Sequence, residues 1–270
     1  MAKMSKNITH LSFSRLKALY HSPLALRHYI EQTRSATKAM DEGTLLDVLL
    51  FTPEKFDEVF YLMPDVKKPT VAQVNAKKPS DETLAQIAAY EAMIAEKGTR
   101  IGISAEQLEE ARALEQAIRN NSTVAFQGLL HPENFSFQVP VEFFYKGFKH
   151  RGIKDAEGRD RNGNRVVWDL KRMGGRSGEA LVRAQIRNNM YDLQAAIYCH
   201  EADLAGDPLK YYIIAVDNEG YVTPFEIGRD AREKARYLWH KLISAAHRVN
   251  LEGMHMGCEF WGDSEGFFQF

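Results

Sequence analysis

Gly152–Lys171, GIKDAEGRDRNGNRVVWDLK, decides how the chain is read, because its pattern sets two carboxylates and a lysine on a β-hairpin. Ile153 and Asp155 share one face of an extended segment. Further on, Val166, Trp168 and Leu170 alternate with Val167, Asp169 and Lys171, the period of two expected of a strand. Gly158 to Asn164 forms the turn. Asp169 and Lys171 therefore lie side by side on one sheet face, and a fold-back near Asn162 brings Asp155 alongside them. Together the three make a cation site that carries its own ammonium. A solvated hairpin edge holds the same residue types, but Val166, Val167 and Trp168 are apolar enough for a central strand, where unpaired charge is costly.

The chemistry also constrains the register of this hairpin. Antiparallel partners share a face when they stand opposite one another or an even number of positions from opposite. A two-residue Asn162-Gly163 turn pairs Arg161 with Asn164 and sets Asp155 opposite Leu170, away from the face of Asp169. An odd-length loop centred on Asn162, or a bulge that inserts one residue, sets Asp155 opposite Asp169. The expectation is the odd loop, although Asn-Gly advertises the tight one.

At 270 residues, with 44% hydrophobic and 26% charged, the chain can bury a full core, and wholesale disorder is excluded. No apolar run reaches membrane-spanning length, and the opening residues lack the apolar core of a signal peptide, so a cytoplasmic protein without a membrane partner is expected. Cys199 and Cys258 lack metal-ligand spacing and read as free thiols, with no iron–sulfur cluster. With 35 Lys+Arg against 36 Asp+Glu, the net charge is −1, and any phosphate-binding surface must be a local patch.

Helix signals dominate the first half. Ser12 opens a short amphipathic segment, and Ser22-Pro23 reads as an N-cap followed by proline at the first helical position. Lys38–Phe51 has helical apolar spacing, and Thr52-Pro53 caps the turn after it. Pro64 to Pro79 reads as a mobile, lysine-bearing loop. Ser80–Glu96 and Ser104–Asn120 are helices, the second with the capping box Ser104-x-x-Gln107. Strand composition runs from Phe135 to Phe148, and Asn188–Leu204 is a helix. Leu209–Val216 and Tyr221–Ile227 are strands joined through Asp217-Asn218-Glu219-Gly220, and a long helix, Asp230–Leu251, ends at Gly253. The aromatic tail EFWGDSEGFFQF is expected to pack on the core. The whole reads as one α/β domain over residues 1–270, a mixed central sheet flanked by helices, with 1–130 mainly helical and 131–270 the sheet-and-helix core.

In NNMYDLQAAIYCHEADL, Tyr191, Gln194 and Tyr198 fall at i, i+3 and i+7, so one helix face carries two phenols and an amide. A helix offering Gln194-AAI-Tyr198 directly after a D…DxK hairpin resembles the PD-(D/E)xK nuclease superfamily, specifically its RecE-type, lambda-exonuclease-like branch. LSFSRLKALYHSPLAL looks like that branch's helical opening. EGTLLDVLLFTPEKF is similar to a further family segment, with Gly43, Leu50, Pro53 and Phe56 in the family's roles and Asp47 where histidine is usual. Arg172 follows the lysine where the branch often has threonine.

The resemblance implies a restriction-endonuclease-like fold and metal-dependent hydrolysis of DNA. It implies Mg²⁺, with Mn²⁺ as a substitute, on Asp155, Asp169 and the backbone carbonyl of Leu170. Asp47 completes the set, and Glu142 is a candidate for a second metal. Lys171 is implied as the residue that stabilises the attacking hydroxide, with burial lowering its pKa. Gln194 and Tyr198 brace the lysine and the phosphate. The same resemblance implies a 5′-to-3′ exonuclease on linear duplex ends in phage-type recombination, an annealing protein as partner, and a ring-shaped trimer or tetramer. A structure-specific or single-strand nuclease, or a DNA-binding member without activity, remain alternatives.

Overall fold

Strand Phe148–Arg159 and strand Arg165–Met173 form the hairpin, and the rest of the larger folded unit is assembled on them. The protein is described from a computed structural model, and the description takes in residues 7–31, 38–174, 178–207, 209–254 and 261. Contacts divide the chain into two compact units, one of Met1–Ser35 with Asn120–Phe270 and one of Ala36–Arg119. The first two helices thus belong with the sheet and not with the helical run that follows them.

The larger unit opens with β1 (His10–Ser12), α1 (Phe13–His21) and α2 (Pro23–Glu31). Ser22 Oγ accepts from the Ala25 N–H at 3.0 Å, the cap expected of α2, and Ser12, the residue that opens the amphipathic segment, caps α1 by accepting from the Arg15 N–H at 3.3 Å. The smaller unit carries α3 (Lys38–Phe51), α4 (Phe56–Val59), β2 (Phe60–Leu62), α5 (Val71–Val74), α6 (Asp81–Lys97), β3 (Ile101–Ile103) and α7 (Ala105–Asn120). β2 and β3 pair in parallel, and Leu45, Leu49, Phe60, Ile103 and Leu108 form the unit's core. The segment read as a loop contains α5, which Thr70 and Gln73 close with a reciprocal capping box. Ser104 and Gln107 form the second box, as expected.

The chain then returns through α8 (Ser122–Gln127), β4 (Phe135–Tyr145), β5 (Phe148–Arg159) and β6 (Arg165–Met173). After these come α9 (Glu179–Asn188), α10 (Tyr191–Tyr198), α11 (His200–Leu204), β7 (Leu209–Asp217), β8 (Val222–Glu226) and α12 (Arg229–Glu252). The sheet runs β1-β5-β6-β7-β8, with β4 on the outer side of β5. β6 and β7 are parallel, which requires the α9–α11 crossover, whereas β4–β5, β5–β6 and β7–β8 are antiparallel. The mixed, helix-flanked sheet expected from the sequence is therefore the fold of this unit.

Two elements differ from expectation. The run Phe135 to Phe148 is two strands, because Lys146 and Gly147 both take positive φ (44° and 83°) and pair Tyr145 with Phe148 in a tight turn. The run Asn188 to Leu204 breaks twice, at Met190, left-handed at φ 59°, and at Cys199. β6 and β7 are covered on both faces, hence their near-continuous apolar runs; Trp168, Tyr211 and Trp239 are fully buried. Trp261 packs against this core, while the rest of the expected tail packing, and Cys258, lie outside the described residues. No helix among the described residues is long and apolar enough to cross a membrane.

Candidate active site

The turn decides which side chains meet. Asp160 N–H donates to the Asn164 carbonyl at 3.0 Å, leaving Arg161, Asn162 and Gly163 as a three-residue loop with Gly163 at φ 78°. Asp160 Oδ1 accepts from the Asn162 and Asn164 N–H groups, both at 2.9 Å, so the aspartate side chain does the work that a tight Asn-Gly turn would otherwise do. The ladder above pairs Arg159 with Arg165, Gly158 with Val166 and Ala156 with Trp168. Continued by one position, that register sets Asp155 opposite Asp169. The odd-length loop centred on Asn162 is present.

Beyond Trp168 the two strands part. β5 turns to pair Lys149–Arg151 with β1 on the side where its later residues meet β6. In the gap, Asp155 Oδ2 accepts the Leu170 N–H at 2.7 Å, standing in for a strand partner. Because a residue's N–H and C=O face the same side of an antiparallel strand, the Leu170 carbonyl faces the gap as well. Asp169 is 2% exposed, a burial that an isolated carboxylate could not sustain. Gln194 Nε2 donates to its Oδ1 at 3.1 Å and the Lys171 ammonium pairs with its Oδ2.

Lys171 Nζ also stands 5.0 Å from the centre of the Tyr191 ring. Burial by itself pulls this ammonium down, but Asp169 and Asp155 outweigh it and hold Lys171 above its ordinary value. The expected lowering is therefore reversed, since the attraction of the two carboxylates exceeds the cost of burying the ammonium. The Tyr191 and Tyr198 phenols are both pushed up, chiefly by burial. The sequence stripe of Tyr191, Gln194 and Tyr198 faces one cleft of about 570 Å³, opposite Arg151, Gly152 and Ile153, with Ser12 and Ser14 at its side. Gly152 was not legible as a site residue. A Cβ there would lie 2.6 Å from Tyr198 Cε1, so the missing side chain makes room for the phenol.

Asp155, Asp169, Lys171, Gln194 and Tyr198 thus come together. Glu142, on β4, is 53% exposed at its side chain and ion-paired with Lys149 and Arg151, a surface arrangement. Asp47 lies half-buried on α3, in the smaller unit. Among the described residues no group of three His, Cys, Asp or Glu side chains is arranged to hold a metal ion. What the gap offers is two carboxylates and a carbonyl, all hard oxygen donors. That set suits an ion that keeps most of its water, as Mg²⁺ does, and not one that needs a closed cage of side chains.

No family model matches the sequence, and no curated protein matches it. Solved structures do. A candidate exonuclease from Eubacterium rectale superposes with a TM-score of 0.58 at 14% identity, over 90% of this chain and 81% of its own. The protein SSO0001 matches at 19% identity over 76% of this chain and 86% of its own, with a TM-score of 0.30. At these identities the first likeness establishes a shared fold.

Proposed function

We propose that the chain is a metal-dependent DNA nuclease whose active site is the gap between β5 and β6. The observation that carries the reading is the meeting of Asp155, Asp169 and Lys171 where the ladder opens, with Gln194 fixing the buried carboxylate. The fold shared with a candidate exonuclease supports it.

Asp155, Asp169 and the Leu170 carbonyl would hold Mg²⁺, or Mn²⁺ in its place, which when bound neutralises phosphate charge and makes water a better nucleophile. Lys171 acts as a fixed positive donor. Its part is to orient the attacking oxygen and stabilise negative charge on it. Gln194 keeps Asp169 from rotating out of the gap. Tyr198, a neutral phenol over Gly152, offers an O–H to a phosphate oxygen in the cleft.

The finer reading is that of the RecE-type branch: a 5′-to-3′ exonuclease on linear duplex ends, in phage-type recombination, with an annealing protein as partner and a ring oligomer for processivity. Asp47 is proposed as an additional oxygen ligand, and Glu142 as a ligand only if its ion pairs open. Purified protein incubated with Mg²⁺ and end-labelled linear, nicked and circular DNA tests both levels. Nucleotide release from linear 5′ ends, silent in EDTA, is expected. Cutting of circular DNA would favour a structure-specific endonuclease, and no cleavage of any substrate would refute the nuclease reading.

A further inference from the structure

The lysine of the site has two partners at once, the Asp169 carboxylate and the ring of Tyr191. In the gap, Lys171 is paired with Asp169, the carboxylate that a divalent cation would need, so ammonium and metal compete for one group. An ammonium displaced from Asp169 in so buried a place requires another partner, or it will oppose the metal. The face of Tyr191 lies 5.0 Å from Nζ and supplies one that carries no charge and offers a divalent cation no oxygen ligand. Its position follows from the backbone. Left-handed Met190 ends the α9 path and starts α10 at Tyr191, which turns the ring into the cleft on the same face as Gln194 and Tyr198.

We propose that Tyr191 is a positioning residue: its ring holds the Lys171 ammonium in the cleft when a divalent cation takes Asp169. This rests on the proposed metal site. The ring, and not the phenol, does the holding, so Tyr191→Phe should keep the Mn²⁺ affinity of the unaltered protein.

Calorimetric titration with Mn²⁺ tests this without recourse to activity. The unaltered protein and Tyr191→Phe should bind Mn²⁺ within about twofold of one another, whereas Tyr191→Leu should bind more weakly, by at most about tenfold, since one cation–π contact is the upper limit and only the part gained when Asp169 is taken by the metal counts. In a Lys171→Met background the same Tyr191→Leu change should have no effect, because no ammonium remains to be seated. If Tyr191→Leu does not fold, Tyr191→Met makes the same comparison. Undiminished affinity in the ring-less variant, or an equal loss with and without Lys171, would overturn the inference and leave the metal site standing. Failure of the unaltered protein to bind Mn²⁺ would overturn both.

Discussion

Gly152→Ala should be destabilising for a reason confined to one contact. The added Cβ would lie 2.6, 2.8 and 2.9 Å from Tyr198 Cε1, Oη and Cζ, all closer than van der Waals contact. Tyr198 is 9% exposed and built into the core on α10, so the ring cannot swing aside freely. Gly152 does not have a left-handed φ, and the cost is steric, not conformational. Overpacking of this kind costs about 1–3 kcal/mol. Truncating Tyr198 to alanine costs about 3–5 kcal/mol by itself but clears the space. Urea unfolding of the two single variants and the double variant measures the coupling. Gly152→Ala should cost about 1–3 kcal/mol with Tyr198 present and close to nothing without it. Additivity within about 0.5 kcal/mol would refute the packing argument.

Acid should weaken the fold before the carboxylates titrate. His150 and His200 are buried, and burial foremost pulls each down to about 4, so below about pH 6.5 the unfolded chain binds protons that the folded one refuses. Stability should fall as pH drops from 6.5 towards 4, by on the order of 3 kcal/mol per imidazole in full. A urea midpoint that stays flat between pH 6.5 and 5 would contradict this. Asp203 holds buried Arg232 at 3.0 and 3.2 Å, so Asp203→Ala leaves that charge only the Ile227 and Leu209 carbonyls and should cost about 3–5 kcal/mol in the same unfolding assay. A cost below about 1 kcal/mol would mean that the two carbonyls hold the guanidinium without a carboxylate.

What was legible in the sequence was mostly local. Caps at Ser22 and Ser104 depend on residues three or four positions away, and both form. The hairpin register was legible for another reason: requiring Asp155 and Asp169 to share a face leaves only an odd loop, whatever Asn162-Gly163 prefers. The box Thr70-x-x-Gln73 and the Lys146-Gly147 turn carried comparable local signals, outweighed by the prolines around one and the strand composition around the other. β1 was not legible, since a three-residue strand is defined only by its partner on β5, far along the chain. Nor was the role of Gly152, which depends on Tyr198 crossing over it. The direction of the Lys171 shift depended on a competition between burial and two carboxylates, and only distances settle such a competition.

If the gap between β5 and β6 hydrolyses phosphodiesters, Asp169→Asn should abolish the reaction. The amide keeps the shape of the side chain and removes the buried charge that Lys171 and Gln194 serve. Single-turnover digestion of end-labelled linear DNA with Mg²⁺ should fall at least about 10³-fold, a loss of about 4 kcal/mol of transition-state stabilisation, while circular dichroism shows the fold intact. Cleavage by the folded variant at the rate of the unaltered protein would place the active site elsewhere.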